Sequence, residues 1–257
     1  MTTLQHTPKY RLYPAYCFRA SPTYHAWVKL TAVDVHALYA EPDFQGQGIY
    51  FFYNHPIRFV RLVGVVVAID DIFSKYTILT LDDGSGATIE VKIIRLSKDE
   101  YNAVESPSNT HITNVNVVSD FGIFDVTIDG RLVDIGTVLK AKCTLSEFRG
   151  NKQLELKRVS IIESTNEEAK AWAETAAFKR DVLMTPWHIS KRQHENIRKE
   201  IKAERKKEEE YERKKREHEA RKKLRKREYD EYMKKWYEKH ERERRKEELV
   251  MNSGALI

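Results

Sequence analysis

The chain has 257 residues, 33% charged and 41% hydrophobic, so one or two domains are expected, with the apolar core concentrated in part of the chain. No run of 18 apolar residues occurs, which argues against a membrane-spanning helix, and the N-terminal MTTLQHTPKYRLYP lacks the apolar stretch of a signal peptide. The net charge of +6 hides a division: residues 190–250 hold 25 Lys and Arg against 17 Asp and Glu, and the rest of the chain holds 20 against 22.

Residues 1–24, rich in Tyr, Pro and Thr, are expected to run as an extended lead. Residues 27–30 are a short apolar piece. Thr31 has the chemistry of a helix cap, with Asp34 three positions on and Pro42 beyond the end. This predicts a helix to about residue 39 that packs on the core through Val35 and Leu38. Gly46-Gln47-Gly48 has no phosphate-loop spacing and reads as a loop. Residues 49–53 are aromatic and apolar. Pro56, lacking an N–H, belongs at a strand start or edge, and His55 before it reads as structural.

Three strands follow in succession. Residues 57–69 are a long Val- and Ile-rich run in which Gly64 predicts a bulge or bend. Residues 76–81 alternate with β-branched and aromatic types, and 87–94 alternate Ile89, Val91 and Ile93 against Thr88, Glu90 and Lys92. Asp82-Asp83-Gly84-Ser85-Gly86 between them is a hairpin turn. Residues 97–104 read as a short helix, 112–118 and 124–128 as a hairpin, and 137–145 as a strand with Leu139, Ala141, Cys143 and Leu145 on one face. After the basic turn Arg149-Gly150-Asn151-Lys152, residues 153–162 make a fifth strand with Leu154 and Leu156 inward. The fold class is therefore mainly β: a five-stranded Greek-key barrel of the OB type with flanking helices.

Residues 164–183 read as a helix, with Thr165 and Glu168 as a capping box. Ala171, Thr175, Phe178 and Val182 line one stripe, and Trp172, Ala176 and Leu183 an adjacent one, a face broader than closing one barrel end requires. Pro186-Trp187 ends it. Residues 190–250 are nearly all Lys, Arg and Glu without Pro or Gly, which predicts a long solvated helix rather than a coiled coil, since heptads are absent. Tyr229, Tyr232, Met233, Trp236 and Tyr237 fall on one face of it, which reads as a short docking surface or a local packing patch. The expected domains are 1–48, an extension with a helix; 49–163, the barrel; 164–189, a partner-binding helix and boundary; and 190–257, the charged tail.

Asn54-His55-Pro56-Ile57, Val60, Gly64 ahead of Val65-Val66-Val67, and Asp82-Asp83-Gly84-Ser85-Gly86 together resemble the Stn subunit of the telomere-capping CST complex. YPAYCFRASPTYHAWVKLTAVDVHALYA resembles its fungal branch, as do EEAKAW, FKRDVL and PW. The resemblance covers about residues 10–190. It implies an OB-fold similar to the middle subunit of replication protein A and a small OB partner, Ten, bound through the helix after the fifth strand. Many members carry C-terminal winged-helix domains where this chain has the charged segment. A telomere-capping subunit, located in the nucleus at chromosome ends, is the first reading. A generic single-stranded nucleic-acid-binding OB module of a replication or RNA complex is the alternative.

OB domains bind single strands with basic and aromatic side chains on the second and third strands and adjoining loops. Arg61, Lys75, Tyr76, Lys92, Arg149 and Lys152 occupy such positions. Ala169, Trp172, Ala173, Ala176, Phe178 and Leu183 are the candidate partner surface, with Trp172 and Phe178 as anchors. The large CST subunit and polymerase alpha-primase are further candidates. Arg221, Lys222, Lys223, Arg225, Lys226 and Arg227 read as a nuclear-localisation or nucleic-acid cluster. Asp70-Asp71 and Asp82-Asp83 are adjacent carboxylates at turns, where Asp serves the backbone. No metal, cofactor or catalytic set is expected. Cys17 and Cys143, the only cysteines, suit a reducing compartment, and Cys143 suits an inert, buried strand position.

Overall fold

The computed structural model describes residues 10–254, apart from 74, 98, 100, 102–105 and 121–122. The chain divides into two units, Met1–Lys191 and Arg192–Ile257.

The first unit is built on β4 (Phe59–Ile72), β5 (Tyr76–Asp82), β6 (Thr88–Ile94), β10 (Val138–Phe148) and β11 (Asn151–Ile161). β4 pairs with β10 over its first half and with β5 over its second, and β11 lies parallel to β6. The order β4-β5-β6-β11-β10 therefore closes on itself, which is the OB barrel. The alternation read from sequence is the barrel's inside and outside: Leu79, Leu81, Ile89, Val91, Leu139, Cys143 and Leu154 are all buried in one core. Burial pushes the Cys143 thiol far above its ordinary range, and Cys17 in the same direction. Both are closed-off thiols.

The long first strand differs from expectation at both ends. Ile57 closes a separate short strand, β3 (His55–Ile57), paired with β2 (Tyr50–Phe52), and β4 runs on to Ile72. The bulge falls between Val66 and Ala68, not at Gly64. Gly64 stands where β4 exchanges β10 for β5, and a Cβ there would lie 2.8 Å from the Asp82 carbonyl oxygen. Close backbone approach, rather than a bulge, is what requires glycine.

The 82–86 turn does more than reverse the chain. Asp82 and Asp83 each accept from a backbone N–H two residues on, at 2.8 and 3.1 Å. The second oxygen of Asp83 accepts from Ala32 N at 2.8 Å, at the start of α1 (Ala32–Ala37). Thr31 caps α1 through Asp34 N at 3.2 Å, as its sequence predicts, though the helix stops at Ala37. Val35 and Leu38 are buried. Ahead of α1, β1 (Val28–Lys29) runs parallel to β4.

Residues 10–24 do not form an extended lead. Ala15–Ala20 is a 3-10 helix whose Phe18 packs with Ile49 and Phe51 as a second, smaller core. The Asn54 side chain joins this region to the far end of the unit, donating to the carbonyls of Trp187 (2.8 Å) and Arg11 (3.1 Å) and accepting from Trp187 N (3.0 Å). Between β6 and β10 lie β7 (Val115–Asp120), β8 (Ile123–Ile128) and β9 (Arg131–Val133) in one antiparallel sheet. The hairpin was legible; β9 was not. The helix expected at 97–104 falls mostly outside the described residues.

After β11 comes α2 (Thr165–Phe178), followed by a π-helical turn, Lys179–Leu183. The second unit is α3 (Lys191–Gly254), a 64-residue helix about 96 Å long at 1.5 Å per residue. Ion pairs one turn apart, such as Lys214–Glu210 at 2.8 Å and Arg205–Glu209 at 3.1 Å, take the place of a core along it.

Candidate nucleic-acid and partner interfaces

Register places Tyr76 opposite Ile94 and Ile78 opposite Lys92 on the outer face of β5 and β6. The Lys92 ammonium lies 5.3 Å from the Tyr76 ring centroid, so an aromatic face and a cation are presented together. The β4–β5 loop adds exposed Lys75 and Phe73, the latter 91% exposed with a positive φ of 51°. At the β10–β11 turn, Phe148 is exposed and the Arg149 guanidinium lies 5.1 Å from its ring centroid. Lys152 is turned toward α1, donating to the His36 carbonyl at 3.2 Å.

Phe73 and Phe148 are the two candidates that sequence reasoning passed over. Their signal was an aromatic residue beside a basic one at each loop, Phe73-Ser74-Lys75-Tyr76 and Phe148-Arg149. Arg61 does not belong with this group. It sits on the half of β4 covered by α2, its side chain is 13% exposed, and it pairs with Glu174 at 2.8 Å. Asp71 is held by Arg95 at 2.9 Å, and Asp82 and Asp83 by their turn. Among the described residues no three His, Cys, Asp or Glu side chains converge as metal ligands.

The cap of α2 is Ser164, which accepts from Glu167 N at 3.2 Å, one residue earlier than the predicted Thr165–Glu168 box. One face of α2 docks on the barrel: Ala171 is buried against Val63 and Ile162, Glu167 pairs with Lys140 at 2.8 Å, and Glu174 bridges Lys29 (3.0 Å) and Arg61 (2.8 Å). The opposite face exposes Ala169, Trp172, Ala173 and Ala176. Trp172, half exposed, overhangs a groove of about 390 Å³ lined by Leu30, Val63, Gly84, Ala176 and their neighbours. Phe178 packs against the barrel core and Leu183 is fully buried in it. Leu183 therefore has no surface to offer a partner. It anchors the end of α2 to its own barrel, and the two aromatics divide between the two faces.

Hydrogen bonds from Arg61 and Lys29 hold the Glu174 carboxyl down to about 2. A depressed carboxylate contributes stability above its ordinary value near 4.5, and that contribution is lost as pH falls through the folded-state value. Glu174→Gln is thus expected to melt below the parent chain at pH 7, with the gap closing between about pH 4.5 and 2. The gap should be small, because the side chain is 37% exposed and water screens the pair. A gap that does not change with pH would show that the charge of Glu174 is not what stabilises the pair.

Residues 13–247 match the family described as Telomere regulation protein Stn1. The chain belongs to the Stn1 family. Among curated Stn1 relatives it is 26% identical over 182 residues to Protein stn1 of Schizosaccharomyces pombe, covering 71% of this chain and 46% of that one. It is 24% identical over 181 residues to CST complex subunit STN1 of Bos taurus, covering 68% and 47%. The chain thus spans about half the length of these relatives. A crystal structure of yeast Stn1 and Ten1 is similar at 16% identity and a TM-score of 0.51, covering 74% of this chain and 91% of that one, which is a likeness of fold. The family expected from the Asn54–Ile57 and Asp82–Gly86 motifs is the family found.

Proposed function

We propose that this chain is a non-enzymatic telomere-capping subunit that binds a small OB-fold partner of the Ten type through α2 and single-stranded telomeric DNA across its barrel. The observation that supports the partner most is the exposed Trp172, with alanines beside it, on a helix whose other face is already docked. The similar yeast structure is one of Stn1 and Ten1, which supports the same partner class here. The large CST subunit and polymerase alpha-primase are further partners of this reading, supported by the CST naming of the bovine relative. Exposure of Arg221, Lys222, Lys223, Arg225, Lys226 and Arg227 along α3 suits recognition by nuclear import machinery, and a nuclear, telomeric location follows from the same reading.

The DNA path runs from Phe148 and Arg149 past Lys92 and Tyr76 to Lys75 and Phe73. Aromatic faces stack bases without regard to sequence, each contributing about 1–3 kcal/mol, and the lysines meet phosphates. Asp70 and Glu90 share the strand face with Lys92 by register, so affinity should be modest and steeply salt-dependent. Phe73→Ala with Tyr76→Ala is expected to weaken binding of a telomeric single strand by about tenfold or more while leaving the melt unchanged, as both rings are solvent-exposed. Equal binding by this double variant, read by fluorescence anisotropy, would remove the barrel face from the proposal.

A further inference from the structure

The positive charge of the C-terminal unit is not spread along it. Residues 213–227 hold ten Lys and Arg against two Glu, and the rest of 190–250 balances at 15 against 15. The ion pairs of this block lie at its N-terminal edge, where Lys214, Arg216 and Arg213 meet Glu210, Glu212 and Glu217. Among the described residues, 221–227 have no carboxylate within ion-pair distance, and all are exposed. In the next three turns come Tyr229, Tyr232, Trp236 and Tyr237, each between 43% and 64% exposed.

Helix formation does not account for these rings, since aromatic residues are poorer helix formers than the Lys, Arg and Glu around them. At 100° per residue they fall within an arc of about 140°, and Lys222, Arg225 and Lys226 of the preceding turns fall in the same arc. Trp236 and His240 approach with ring centroids 4.1 Å apart, extending the aromatic surface by one turn. One face of α3 thus offers cations, then π-faces, over about 21 Å from Lys222 to Trp236.

We propose that this face is a second nucleic-acid site, independent of the barrel, and that its ligand is a single strand. The surplus of cations selects a polyanion. The rings select one whose bases are free to stack, which a duplex withholds. Lys222, Arg225 and Lys226 contact phosphates, and Tyr229, Tyr232 and Trp236 take the bases. The competing occupant is a second copy of the chain, because Glu208, Glu209, Glu210 and Glu212 adjoin the basic block and an antiparallel pair could match them to it.

The full-length chain with a fluorescein-labelled thymidine 15-mer separates these outcomes. In the Phe73→Ala and Tyr76→Ala background, which removes the barrel's rings, Tyr232→Ala with Trp236→Ala is expected to weaken the remaining binding by about tenfold or more with the salt slope unchanged, and to leave binding of a duplex of equal length unaltered. Lys222→Gln, Arg225→Gln and Lys226→Gln together should reduce the slope of log K against log salt by about 2, from three phosphate contacts at about 0.7 each. Alanine and glutamine are good helix formers, so unchanged circular dichroism will show that α3 persists. In that background, affinity unchanged by the Tyr232/Trp236 substitutions overturns the proposal, and so does a loss of self-association on making them with DNA binding intact. The Phe73/Tyr76 variant reports on the barrel alone, so either site can fail without the other.

Discussion

Asn54→Ala is expected to destabilise the folded unit by about 3 kcal/mol or more, from the loss of three side-chain bonds to backbone groups. Its amide nitrogen donates to Trp187 O and Arg11 O, and its oxygen accepts from Trp187 N. Asn54 is 2% exposed, so water does not readily replace what is removed. Each buried group left unpaired costs about 1–3 kcal/mol. For a unit of this size the melting temperature should fall by roughly 6–12 °C. Cleavage within 184–190 by a dilute protease should rise in parallel, because Trp187 ties that segment to the N-terminal extension. A loss below about 1 kcal/mol, or protection of 184–190 as in the parent, would show the joint to be held by the Tyr13–Trp187 ring contact instead.

The same joint should sense acid. His55 Nε2 donates to the Thr185 carbonyl at 2.8 Å, which leaves Nδ1 as a buried lone pair with no partner among the described residues. A proton on Nδ1 would find no acceptor among the described residues, and burial lowers the His55 pKa below 6.5. The unfolded chain then takes up a proton that the folded chain refuses. Stability from this residue is fully present above about pH 6.5 and is lost as pH falls toward the folded-state value.

The barrel was legible because each of its strands has one wet and one dry face, and that difference is written as alternation. Pattern alone puts Leu139, Ala141, Cys143 and Leu145 on one face, and that face is the buried one. The Asp-rich turn was legible because Asp and Gly have specific backbone uses. The N-terminal extension was not, since Phe18 and Tyr13 are fixed by Phe51 and Trp187, and such distant contacts leave no local period. Arg61 shows a different limit. Alternation says that it points outward from the barrel, and only the later course of the chain puts α2 over it. Phe73 and Arg149 take positive φ without being glycine, so nothing in their residue type marked the two loops as display sites. The tail was readable because Lys, Arg and Glu are strong helix formers, the segment has no Pro or Gly through residue 250, and opposite charges fall one turn apart.

Trp172→Glu is expected to abolish association with a small OB partner while leaving the melt of the isolated chain nearly unchanged. The ring is half exposed and contributes little to the barrel's own core, whereas Ala169, Ala173 and Ala176 around it allow a partner backbone to come close. A buried aromatic anchor of this type typically costs about 2 kcal/mol or more when truncated, roughly thirtyfold in Kd, and a carboxylate in its place adds the cost of desolvating a charge. Phe178→Glu is the contrasting case. Its ring packs against the barrel core, so the isolated chain should melt earlier before any binding is measured. The pair of variants separates a partner face from a docking face on one helix. If Trp172→Glu lowers the melt of the isolated chain, or if the folded protein still captures the partner, then the groove beside Trp172 is closed by the chain itself and the partner sits elsewhere.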